Sequence, residues 1–201
     1  MGRIRFREVI EITAADLPAA FTPSDAARAG VSRRGLKHLL ASGFAEQVAR
    51  GLYRRADSEP ADYDLIEVAV KARRPTLCLM SALARHELTD IIPAAHDVAV
   101  PRGDWRPVVS APVRWHKFDV ATFEIGRDAV WLDETHCLGL YSAARSIVDA
   151  FRLRHEVGAD VANEALRRWL RRGGKPADLL RMINDFPAAR SALLGALQIL
   201  S

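Results

Sequence analysis

Apolar and polar residues change period several times along the chain, and each change predicts an element. Ile4, Val9, Ile12 and Leu17 fall near one side of a helix over 4–17. Thr22 and Pro23 then have the form of an N-cap and a first-turn proline. The hydroxyl accepts an orphan amide, and proline at that position wastes no donor. A short helix over 24–29 follows, with Ala26 and Ala27 small enough for close packing. Gly30 is placed to take the left-handed conformation that stops it. Val31 points inward, and Ser32 caps a second helix to about Ala41, with Leu36, Leu39 and Leu40 on its buried side. Ser42 and Gly43 end that helix. Residues 44–48 and 51–55 fit two short strands around a turn at Ala49, Arg50 and Gly51.

The stretch Ala56-Asp57-Ser58-Glu59-Pro60 is polar and ends in proline, so it divides a domain over 1–58 from one over 62–201. It is too short for the two to swing freely. Beyond it, Leu65, Ile66, Ala69 and Val70 predict a helix over 62–73, and a second follows over 80–88 after the apolar run 77–79. From His96 to Leu138 the period shortens. Val98 and Val100 alternate, as do Val113, Trp115 and Lys117, and 123–125 and 129–132 are apolar pieces around a turn-like Gly126-Arg127-Asp128. Four or five short strands in a small sheet are expected there. Residues 141–153 return to helical spacing, and helices over 158–172, 176–185 and 187–199 close the chain. The fold class is therefore α+β. An N-terminal winged helix-turn-helix precedes a mixed domain with a small β-sheet flanked by helices and a helical C-terminus.

The formal net charge of +4 is modest, but its placement in the first domain is not random. Arg33, Arg34, Lys37 and His38 lie outward near the start of the second helix, where recognition helices carry base and phosphate contacts, and Ser32 caps it. Arg50, Arg54 and Arg55 decorate the hairpin that would be the wing. An αα-hairpin whose arginines are merely solvated is the competing reading. Helix, turn, helix and basic hairpin in register favour double-stranded DNA.

The run Phe-Thr-Pro-Ser-Asp-Ala-Ala-Arg-Ala-Gly-Val-Ser-Arg-Arg from Phe21, with Arg-Gly-Leu-Tyr-Arg from Arg50, resembles the winged helix-turn-helix of the AbiEi-type antitoxins. Pro-Thr-Leu-Cys-Leu-Met-Ser-Ala-Leu-Ala from Pro75 is similar to that family's strand leading into a Ser-Ala-Leu helix. His-Glu-Leu-Thr-Asp from His86, Val-Ala-Val-Pro-Arg from Val98 and Arg-Ser-Ile-Val-Asp from Arg145 extend the resemblance over most of the chain. It implies an antitoxin that binds inverted repeats in its own promoter and represses its operon. It also implies a C-terminal domain that counters a nucleotidyltransferase-like toxin. A stand-alone winged-helix regulator, or a toxin-gripping protein without DNA binding, are the alternatives.

The body offers two candidate partner surfaces. Arg167, Arg168, Arg171 and Arg172 crowd the helix over 158–172, where Glu164 is spaced to pair with Arg168. That helix is either a second basic patch or a solvated helix whose last arginines complement its dipole. Arg102 and Trp105, with Arg106, lie in a Pro-bounded loop that reads as a protein contact. Catalytic and metal chemistry find no support. The six histidines stand singly without metal-ligand spacing, and the acids of the strand region are not followed by a Glu-x-Lys pattern. No cofactor, metal or enzymatic activity is expected. Cys78 and Cys137 sit in apolar runs and are expected to be reduced core thiols. Arg3, Arg5 and Arg7 lead into Glu8 and Glu11 rather than an apolar leader, and no run is long enough to span a bilayer, so a cytoplasmic protein without membrane contact is expected.

Overall fold

A computed structural model describes residues 16–200. The helix expected over 4–17 lies outside the described residues except for Asp16 and Leu17, which form a turn and a bend. Contacts divide the chain into two units. The first runs to Lys71 and adds Val109–Ala111 and Trp131–Cys137; the second takes Ala72–Val108, Pro112–Val130 and the chain from Leu138 onward. Among the described residues there are nine α-helices and two sheets, an α+β architecture.

In the first unit, strand β1 (Ala20–Phe21) leads into helix α1 (Pro23–Arg28), then α2 (Arg33–Ala41), β2 (Ala45–Ala49), β3 (Leu52–Arg55) and α3 (Tyr63–Lys71). The caps act as their chemistry dictates. The Thr22 hydroxyl accepts the Asp25 amide at 3.2 Å while the Asp25 carboxylate accepts the Thr22 amide at 2.7 Å, a reciprocal capping box. Gly30 has φ +82° and ends α1, with the Val31 amide reaching back to the Ala26 carbonyl at 2.8 Å. The Ser32 hydroxyl accepts the Gly35 amide at 3.1 Å. Strands β1, β3 and β2 form an antiparallel sheet in that order, with Phe21 opposite Tyr53 and Glu46 opposite Arg54. β1 is too short to show alternation and was not expected.

Leu17, Phe21, Ala26, Val31, Leu36, Leu39 and Ala45 make the core of this unit. Helix α3 joins it beyond the polar stretch 56–60, because Ile66 packs with Ala20 and Leu52. Glu67, 1% exposed, holds the segment 109–111: its carboxylate accepts the Ser110 and Ala111 amides at 2.9 and 3.0 Å and pairs with Lys71 at 2.5 Å. Burial pushes this carboxyl up, but those three donors outweigh it and hold it below its ordinary value.

The second unit contains β4 (Thr76–Leu77), α4 (Leu79–Arg85), β5 (His96–Pro101), β6 (Val113–Phe118), a 3-10 turn (Val120–Thr122), and all but one end residue each of β7 (Arg127–Trp131) and β8 (Cys137–Tyr141). Helices α5 (Ala143–Arg152), α6 (Arg154–Val157), α7 (Ala159–Arg171), α8 (Pro176–Met182) and α9 (Pro187–Leu200) follow. The strands order as β6-β5-β4-β8-β7, with β5 parallel to β6 and β4 parallel to β8. Two expectations need correction. Residues 123–125 follow the 3-10 turn rather than forming a strand; Phe123 is buried there, and the supposed spacer residues Arg127 and Asp128 open β7. Cys78 is buried as expected, but Cys137 is exposed at the start of β8.

Helix α5 lies at the centre of the second unit, with Ile147, Val148 and Phe151 packed against α4, α7, α8 and α9. Its Arg-Ser-Ile-Val-Asp run is structural. Arg145, fully buried, donates from Nε to Asp149 at 2.9 Å and from one terminal nitrogen to the Thr122 and Ile125 carbonyls at 2.8 and 2.7 Å. Its guanidinium lies 4.2 Å from the Tyr141 ring centroid and 4.1 Å from that of Phe186. Arg152 completes the neutralisation of Asp149 at 2.9 Å. Gly126, with φ +67°, is required beside this cluster: a Cβ there would lie 2.9 Å from the Arg145 Cβ.

Candidate nucleic-acid interface

Helix α2 separates its side chains cleanly. Gly35, Leu36 and Leu39 are buried, whereas Ser32, Arg33, Arg34 and Lys37 are exposed. The spacing explains this. Positions 33, 34 and 37 share the side of the helix opposite Leu36 and Leu39. No carboxylate forms a salt bridge to Arg33 or Lys37 among the described residues, so these two side chains keep their positive charge. His38 departs from the expectation of an outward residue. It is half-buried, and its Nε2 is buried without a hydrogen-bond partner among the described residues.

The β2–β3 hairpin forms a wing whose tip turns at Arg50 and Gly51, the latter with φ +78°. Arg50 is exposed at that tip. The other two wing arginines are engaged. Arg54 donates from two nitrogens to Glu46, at 3.0 and 2.7 Å, directly across the strand pair, and its guanidinium lies 5.7 Å from the Tyr63 ring. Arg55 forks onto Asp57 at 2.9 and 2.6 Å and donates to the Leu17 carbonyl at 3.1 Å. The hydrogen bond from Arg55 holds the Asp57 carboxyl below its ordinary value. The place of Glu46 opposite Arg54 follows from the hairpin register and not from any local sequence signal.

The two candidate partner surfaces beyond the wing differ in the same way. On α7, Arg167 pairs with Glu164 at 2.5 Å, and Arg168 is shared between Glu164 at 2.9 Å and Asp90. Arg172 donates to the His86 carbonyl at 2.9 Å and to Glu87 at 3.1 Å, while Arg171 is exposed. Arg102 and Trp105 lie exposed on the connection between β5 and β6. Among the described residues, no three His, Cys, Asp or Glu side chains gather as a metal site, and no helix is long and apolar enough to cross a membrane.

Residues 8–56 match a family model described as "Transcriptional regulator, AbiEi antitoxin". No curated protein matches the chain. The matched span contains all of α1, α2, β2 and β3, and with them every residue of the candidate interface. Through this amino-terminal region, the match supports an AbiEi-type family of antitoxin transcriptional regulators for the chain.

Proposed function

We propose that the protein is a DNA-binding antitoxin that represses its own operon. Arg33, Arg34 and Lys37 enter the major groove from α2, and the Ser32 hydroxyl lends a phosphate contact while capping the helix. His38 packs behind them. Arg50 reaches phosphate or the minor groove from the wing tip, and Arg54 and Arg55 fix the wing through their carboxylate partners. Residues 1–58 carry this activity, and residues 62–201 counter a nucleotidyltransferase-like toxin. The observation that carries the reading is the cationic face of α2, exposed on a capped helix-turn-helix whose span the family model matches.

Operator binding tests it. The full chain is titrated against a duplex from its own promoter and a scrambled duplex of equal length. Loss of Arg33 or Arg34 narrows the gap between the two by about 1–3 kcal/mol if that residue makes a bidentate guanine contact. Equal binding by parent and variants removes the head from the interface. Co-expression with the adjacent gene tests the second half: rescue of growth supports an antitoxin, whereas absence of a nucleotidyltransferase-like neighbour favours a stand-alone regulator.

A further inference from the structure

Strands β5 and β6 are parallel neighbours, so the chain leaving Pro101 must return along the sheet before it enters Val113. Such crossovers usually contain a helix. Here residues 102–112 contain neither helix nor strand. The crossover is stiffened instead, by Pro107 and Pro112 within it and by hydrogen bonds at its start. The Arg102 amide donates to the Phe118 carbonyl at 2.7 Å, and the Asp104 amide to the Pro101 carbonyl at 3.0 Å. Asp104 is the sole acid of the loop, and its carboxylate faces Arg74 at 3.5 Å. Arg102 and Arg106 are exposed and have no carboxylate partner among the described residues. Between them Trp105 is 79% exposed, and Val108 beyond is 87% exposed.

We propose that this crossover is a docking surface for an acidic protein. Trp105 inserts into an apolar pocket, and Arg102 and Arg106 pair with carboxylates at its rim. Exposed tryptophan and arginine are the residue types that dominate protein interfaces, and a pre-stiffened loop loses little entropy on binding. Charge selects an acidic partner, since the loop turns its one carboxylate inward. The arginines of α7 are poorer candidates because most are already neutralised within the unit. Tryptophan flanked by arginines also suits a stacked base. Pro107 and Val108, whose side chains offer no hydrogen bond to a base, favour a protein. The assignment rests on the reading that the body engages the toxin.

The test uses the full chain and its W105A, R102E, R106E and R171E variants. Each is titrated by calorimetry against the purified product of the adjacent gene, and by anisotropy against a single-stranded oligo-dT. Unchanged melting of each variant establishes that it folds. W105A is expected to weaken the protein complex about 30-fold or more, as a central aromatic anchor does. Each charge reversal in the loop weakens it about tenfold, more at low salt, whereas R171E stays within about twofold. A complex indifferent to the three loop variants overturns this surface and leaves the toxin reading standing. No complex with the parent chain overturns both. Loss of oligo-dT binding in W105A, with the protein complex intact, assigns the loop to nucleic acid and overturns the protein partner.

Discussion

Helix α2 of the first unit and helix α7 of the second each carry a cluster of arginines, and the two clusters end in opposite electrostatic states. In the unit that holds α2, Asp25 closes the cap of α1 and pairs with Arg28, Glu46 pairs with Arg54, and no described carboxylate forms a salt bridge to Arg33 or Lys37. Around α7, Glu164 lies on the same helix, and Asp90 and Glu87 come from 78 and 85 residues away. Basic residues in a sequence are therefore not basic surface until their counterions are located. Arg33 and Lys37 are exposed on one helix without a described carboxylate partner. The other is largely satisfied within its own unit.

The largest test concerns a third kind of arginine, the buried one. Asp149→Ala leaves Arg145 charged, fully buried and without its carboxylate, which costs about 3–5 kcal/mol by the measure of broken buried ion pairs. Denaturant titration should show the second unit unfolding much earlier. Arg145→Met should cost less than Asp149→Ala, because the buried Asp149 carboxylate it leaves behind keeps Arg152 as a partner. Equal costs for the two would mean that packing, not charge, holds this cluster.

Next comes the exposed face. Arg33→Ala or Arg34→Ala should reduce operator discrimination by about 1–3 kcal/mol for a bidentate contact, and Arg33→Ala should leave stability unchanged. A variant that loses affinity for operator and scrambled duplex alike would place that arginine on phosphate instead.

The cap beneath this face sets a smaller effect. Thr22→Ala should cost the first unit about 1 kcal/mol, the usual value of an N-cap. It should also alter the acid response. Burial pushes the Asp25 carboxyl up, but hydrogen bonds from the Thr22 amide and hydroxyl and from Arg28 overcome this and hold it below its ordinary 3.8. A depressed folded-state pKa contributes stability that is present above the unfolded value and lost as pH falls through the folded one. Asp25→Asn should therefore be less stable than the parent near pH 6. The gap between them should close below about pH 3.8, as followed by the melting midpoint across that range.

The parts of this arrangement that were readable in the sequence are those fixed by local chemistry. Thr22 with Pro23, Gly30 and Ser32 set helix ends because each satisfies or removes a particular backbone group. The spacing of Leu36 and Leu39 fixed which way Arg33, Arg34 and Lys37 point. Long-range features were not readable. Phe123 is as buried as a strand residue, but it is delivered by a turn, so its hydrophobicity misled the period. Cys137 lies in an apolar run whose hairpin end is nevertheless exposed. Glu46 opposite Arg54 needed the strand register, and Asp90 beside Arg168 needed the tertiary fold.

Salt dependence compares the wing with α7. Arg50→Ala should lower the slope of log affinity against log salt by about one, the signature of one lost phosphate contact. Arg54→Ala should lower it less, since Glu46 already offsets that charge.

The smallest expected effect is at Arg168. Its guanidinium is shared between Asp90 and Glu164, and the hydrogen bond from Arg168 holds the Asp90 carboxyl below its ordinary value. An exposed pair of this kind contributes little to stability and is screened by salt. Arg168→Ala should therefore leave both the melting midpoint and the DNA salt slope at the parent's values. Asp90→Asn should steepen the slope slightly at most, because Glu164 still neutralises Arg168. Anisotropy titrations from 50 to 200 mM salt, roughly the range over which phosphate contacts are lost, resolve the difference. If Arg168→Ala lowers the slope as much as Arg50→Ala does, α7 touches phosphate, and the contrast between the two helices is one of degree only.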